Sequence, residues 1–299
     1  MQISRRQILA ASGACVALGA APAWASGKIN VVFAGSMGVV MDRGIGPAYQ
    51  AKTGTTFQGI GQPAMALAHM LAAKTMVADV FVSVSPGPIK VVEEAKLTAR
   101  AVPVASTEFV MAYSPKSKFA AQFAAADAGD AIRLLTAPGL RFGRTDPAAD
   151  PQGAYVLYCL QLAELYYKQP GLAAKITGPQ ANPAQIFAEP SLLARLQDGE
   201  LDATLGYESA VISQKLPYLK LPAEINFGTP SLAKDWYGKA TLTLKGKPAH
   251  PGPLVFYAAI LANAPNPGAA ADFVAYLASA PGQALFSKYG YNPGKGAAI

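Results

Sequence analysis

The sequence is short of the residues that most cross-linked or catalytic proteins display. It holds two cysteines and two histidines in 299 residues. Cys15 lies in an N-terminal leader, which leaves Cys159 alone, so no internal disulfide can form even in an oxidising compartment. Cys159 itself sits in an apolar helical stretch, where a free thiol packs as a small hydrophobe. His69, in the run MALAHML, and His250, in a proline-rich crossing, are too few and too scattered for a metal cluster or a catalytic triad. Charged residues make up only 14% of the chain, and the Lys and Arg stand singly, which excludes a nucleic-acid-binding patch. No nucleotide-binding motif is present. The apolar runs, including residues 254–261, are too short to cross a bilayer permanently, so no integral membrane segment is expected.

The chain opens on Met-Gln-Ile-Ser-Arg-Arg-Gln-Ile-Leu, continues in a small-residue apolar run from Ala10 to Ala21, and reaches Ala23-Trp24-Ala25. A charged region, a hydrophobic region and an A-x-A site in that order read as a cleaved signal peptide over residues 1–25. Arg5-Arg6 resembles the twin-arginine signal, with an ordinary Sec signal as the alternative. A periplasmic protein is therefore expected. The formal charge of +7, two units of it in Arg5 and Arg6, is mild and would help to draw small anions.

Hydrophobic residues form 52% of the chain, enough for substantial cores. Lys28 to Ala34 predicts a strand ending in Gly35-Ser36, and residues 37–52 a helix closed by Gly54. Strand 55–60, helix 63–74 and strand 79–84 follow. This alternation implies a largely parallel sheet with helices on both faces. A second α/β unit begins near Glu108, with a strand in FVMAYSP at 109–115, helices at 151–167 and 190–197, and a strand at 201–207. The strand 253–261 and helices at 268–277 and 284–289 close the chain. These elements predict an α/β fold of two lobes with a cleft between them: one from 26–107 plus 253–299, the other from 108–252. Trp236, Tyr237, Tyr289 and Tyr291 read as packing or rim residues.

Sites in such folds lie at the C-terminal ends of strands. Ser36 is expected at a helix N-cap after a glycine turn, where free N–H groups attract anions; simple capping is the competing reading. Asp150 precedes Pro151 at the start of a long helix, and Glu189 precedes Pro190 at the start of another. Capping explains Asp150 well and Glu189 poorly, because glutamate is not a favoured N-cap.

The AGS turn, GRTDPAADPQGAY, QLAELYY, DGELDATLGYES, LPAEINF and ANAPNPGAAADFVAYLASAPGQALFSKYG together resemble the tungstate/molybdate-binding family over almost the whole chain after the leader. The resemblance implies a type II periplasmic-binding fold, an oxyanion held between the lobes, and a partner ABC permease with its ATPase. It implies that Asp150 and Glu189 coordinate the Mo or W of the bound anion. It assigns hydrogen-bond donation to Ser36, the Gln152 amide and Tyr207. Where the family has a second serine this chain has Ala64, whose backbone N–H would have to substitute. No cofactor is implied, the oxyanion being the cargo, and a monomer without enzyme activity is expected. A receptor for another small anion, and a periplasmic enzyme with a carboxylate acid/base pair, are the alternatives.

Overall fold

The computed structural model describes residues 27–244 and 246–299, with the side chains of residues 189 and 190 left out, so the expected signal peptide lies outside the described residues. Among the described residues twelve strands form three sheets. The largest contains β1 (Lys28–Ala34), β2 (Thr56–Gln62), β3 (Val80–Ser83), β4 (Ala101–Ser106), β11 (Val255–Ile260) and β12 (Asn292–Pro293), in the order β12-β4-β11-β3-β1-β2. The second contains β5 (Phe109–Tyr113), β6 (Phe142–Gly143), β7 (Ala203–Tyr207) and β8 (Tyr218–Lys220), in the order β6-β7-β5-β8. A small hairpin pairs β9 (Leu242–Leu244) with β10 (Lys247–Ala249).

Alternation along β1 builds the first lobe. Ile29, Val31 and Phe33 face one apolar core, while Val32 and Ala34 face another, so the sheet is covered on both sides. One face carries the helices Pro267–Ala278 and Ala280–Lys288; the other carries Ala64–Ala72 and Pro86–Glu94. β1 to β3 run parallel, and β11 returns antiparallel between β3 and β4. The second lobe packs the helix Pro151–Tyr167 against its sheet through Val156, Cys159, Leu160 and Ala163, all fully buried.

The expected helix over 37–52 is interrupted. A 3-10 turn (Gly35–Met37), a short α segment (Gly38–Val40) and a π segment (Met41–Ile45) precede the helix Gly46–Thr53, which ends on Gly54 with φ 73° as the sequence predicted. Local pattern does not show β4, β12 or the helix Pro86–Glu94, whose places depend on distant partners. The chain passes between lobes after Ser106 and returns before Val255. Those two residues are paired in register, so both crossings leave from one edge of the first sheet.

Candidate functional site

That edge is where strands end and helices begin. In the first lobe Ala34 and Gln62 are register partners, so the turn carrying Ser36 and the helix starting at Ala64 lie side by side. In the second lobe β6 and β7 are parallel, and Arg144, just past β6, forms a parallel bridge with Ile186. Three neighbouring segments thus run the same way and each leads into a helix: Pro151–Tyr167, Glu189–Asp198 and Glu208–Ser213. Asp150, Glu189 and Tyr207 all stand at this single edge, and the pairing of Tyr207 with Phe109 places it beside the first crossing.

Asp150 is the N-cap of its helix, with φ −128° and ψ 125°, and its Oδ1 accepts the Gln152 N–H at 2.8 Å. In this structure the Gln152 amide therefore orients the carboxylate, a different use of it from the expected bond to an oxo group. The Gln152 side chain is buried against the end of β7, where a Cβ added to Gly206 would meet Nε2 at 3.2 Å. Glu189 is the first residue of its helix, with Ala188 as N-cap and no side-chain cap bond. Tyr207 caps the third helix through its backbone, and its half-buried ring packs edge-on against Phe109 at 5.3 Å and against Tyr155 at 6.4 Å.

Ser36 is not the N-cap that the sequence suggested. β1 runs straight into the 3-10 turn, so Ala34 takes the cap position, and no side-chain cap bond forms. Ser36 is exposed, its carbonyl accepts the Tyr291 hydroxyl at 3.0 Å, and it lines a cavity of about 230 Å³ shared by both lobes. From the first lobe that cavity takes Ser36, Val39 and Tyr291; from the second it takes Ser209 and Leu193, one turn along the Glu189 helix. Ala64 is 8% exposed at the start of a helix whose N-cap, Pro63, makes no side-chain cap bond. The cavity thus joins Ser36 to the Glu189 helix, while Asp150, Gln152 and Tyr207 lie outside its lining.

Sequence reasoning missed several residues here. Glu208, 5% exposed, accepts the Tyr218 hydroxyl at 3.1 Å and the Asn292 amide at 3.2 Å, and pairs with Lys220. Lys220 also pairs with Glu108 on the crossing, so one ammonium holds two carboxylates where the lobes meet. Arg144 is wholly buried, and loss of hydration lowers its pKa from the usual arginine value, partly opposed by Asp146. Its only visible signal is a cation directly after the strand end in LRFGRT. Burial likewise pushes the Cys159 thiol up, which fits an inert packing role. Among the described residues no three His, Cys, Asp or Glu side chains cluster to hold a metal ion, and no helix is long and apolar enough to cross a membrane.

The chain is similar to several proteins from other organisms. A molybdate/tungstate-binding protein of Pyrococcus abyssi is 32% identical over 203 residues, covering 61% of this chain and 58% of the relative. An uncharacterized solute-binding protein of Petrotoga mobilis is 30% identical over 207 residues, covering 65% of this chain and 62% of its own length. The chain therefore matches about six-tenths of each of these relatives. The periplasmic molybdate-binding protein of Azotobacter vinelandii superposes with a TM-score of 0.60 at 15% identity, over 89% of this chain and all of that one, which shows the two-lobed type II periplasmic-binding fold. The family of bacterial extracellular solute-binding proteins matches residues 29–292, nearly the whole described chain, and the protein belongs to that family.

Proposed function

We propose that this chain is the solute-binding component of an ABC uptake system, exported to the periplasm by a cleaved signal peptide, and that it holds a molybdate- or tungstate-like oxyanion between its lobes. Residues 26–107 with 253–299 form one lobe and 108–252 the other. Asp150 and Glu189 coordinate the metal of the cargo; Ser36, the Ala64 N–H and Tyr207 donate to its oxo groups; Gln152 holds Asp150 in place. The protein delivers its cargo to a permease driven by an ATPase and transforms nothing itself.

One observation carries the reading: Arg144 and Ile186 pair in parallel, so the chain runs from one end of the second sheet into the helices that Asp150 and Glu189 open, one on each face of that sheet. The names of the relatives support it. Two carboxylates facing a dianion would be repulsive by about 4 kcal/mol per pair of unit charges at 4 Å and an effective dielectric near 20. Mo(VI) and W(VI) offset that repulsion by accepting carboxylate oxygens as hard ligands, which the sulfur of sulfate cannot do. The pair thus selects for metal oxyanions and against sulfate.

Calorimetry with molybdate, tungstate and sulfate tests this. Wild type should prefer the metal oxyanions, and Asp150→Ala should weaken tungstate binding by at least about tenfold, or about 1.4 kcal/mol. Equal tungstate affinity in the two proteins removes the coordinating role. A receptor for a carboxylate, sulfonate or sulfate-like anion is the second reading, favoured by the missing hydroxyl at Ala64. A bound anion that tungstate fails to displace would establish it.

A further inference from the structure

Arg144 makes an unusual set of contacts for a wholly buried guanidinium. Its backbone N–H donates to the Gln185 carbonyl at 2.8 Å, and its own carbonyl accepts the Phe187 N–H at 3.0 Å, so its main chain brackets Ile186. Its Nη2 donates to the Gln180 carbonyl at 2.7 Å and the Pro179 carbonyl at 3.3 Å. One residue therefore grips the segment 179–187 at both ends. Glu189 starts the next helix two residues beyond that segment, and Asp150 ends the loop that Arg144 itself begins.

Hydrogen bonds among the described residues use only part of this guanidinium. Nε and Nη1 are buried with no partner among the described residues, as are Thr145 Oγ1 and Gln185 Oε1 beside it in the chain pairing. A buried charge whose donors are incompletely used destabilises the fold relative to an apolar side chain of similar volume. What the bonded Nη2 provides is geometry: a rigid planar fork reaching two successive carbonyls fixes a loop as a shorter or more flexible group cannot.

We infer that Arg144 is the positioning residue for the carboxylate pair, clamping the segment that leads into Glu189 to the loop that leads into Asp150, so that both reach one metal oxyanion. This rests on the assignment of Asp150 and Glu189 as ligands. Residues that orient coordinating groups typically contribute about 10–100-fold to metal affinity.

The test combines tungstate calorimetry with X-ray absorption at the tungsten edge, which counts the atoms bound to the metal. Wild type should bind tungsten with two oxygens beyond its four oxo groups. Arg144→Met should lose at least one of them and bind tungstate about 10–100-fold more weakly. Adding Glu189→Gln to Arg144→Met should then change affinity little further, because both remove the same contact. Arg144→Lys, which keeps the charge but places its donors on a single nitrogen, should recover part of the affinity. A methionine variant that is folded and keeps the wild-type coordination number, or full additivity of the two substitutions, overturns the inference. If the methionine variant does not fold, the same cycle with Arg144→Lys decides, additivity again overturning it. A four-coordinate tungstate in wild type instead sinks the ligand assignment, and the inference falls with it; the wild-type spectrum alone separates the two failures.

Discussion

At the scale of the residue, Gly153 shows how closely the candidate site is built. A Cβ there would lie 2.4 Å from the Thr145 carbonyl oxygen and 2.7 Å from the Pro147 nitrogen, all of it backbone that cannot swing away. The first turn of the Pro151–Tyr167 helix thus rests directly on the loop 145–147, and only a residue without a side chain permits that approach. Gly153→Ala should lower stability by about 1–3 kcal/mol, read as a lower urea midpoint with unchanged slope. It should also weaken oxyanion binding, because relief of the clash moves the Asp150 cap. Glycine in DPQGAY is visible in the sequence, but the carbonyl it must avoid is that of Thr145, eight residues back, and only the fold of the intervening loop brings the two together.

At the scale of the element, Asp202 anchors the strand that ends in Tyr207. It is wholly buried, and Arg141 grips it with Nη2 at 2.8 Å and Nε at 3.0 Å, while the Ser117 hydroxyl and the Arg141 N–H donate at 2.7 and 2.8 Å. Burial alone would raise its pKa, but the combined bonds from Arg141 and Ser117 outweigh it and hold the carboxyl below the ordinary value. A depressed folded pKa gives stability that is fully present above the unfolded value of about 3.9 and is lost as pH falls through the folded value. Asp202→Asn should therefore be less stable at neutral pH by about 1–3 kcal/mol. Its unfolding free energy should also fall less steeply than that of wild type below about pH 4, a difference that denaturant titrations at successive pH values would show. Equal acid slopes would remove Asp202 as a source of the pH dependence.

At the scale of the whole molecule, the two lobes touch closely at Gly290. Its φ is +81°, and an added Cβ would meet Ile212 of the Glu208–Ser213 helix at 2.9 Å. The loop after the Ala280–Lys288 helix therefore seats on the second lobe with no room for a side chain. Gly290→Ala should act as a wedge that disfavours this approach, adding about 1–2 kcal/mol of left-handed backbone strain. Small-angle scattering should give a larger radius of gyration than wild type in the presence of ligand, with weaker binding. Ile212→Gly in the same chain, which removes the Cβ lying 2.9 Å from the added methyl together with the atoms beyond it, should restore the radius but not the backbone strain, which isolates the contact between lobes.

The sequence by itself determined the elements whose signals are local. The helix Pro151–Tyr167 has the bounds that its Asp-Pro start and apolar run predict, β1 is the strand Lys28–Ala34, and Gly54 closes its helix in the left-handed conformation. Asp150 was legible as a cap because the capping bond spans two residues. Tertiary structure alone decided what depends on distant pairing. The parallel bridge between Arg144 and Ile186 joins positions 42 residues apart and brings together the segments that lead to Asp150 and Glu189. β1 running on into a 3-10 turn removed Ser36 from its expected cap, and β12 closes the sheet by pairing with Ser106 from the far end of the chain. The physical reason is range: propensity and capping act within a turn or two, whereas strand register and the burial of a guanidinium are fixed only once remote segments meet.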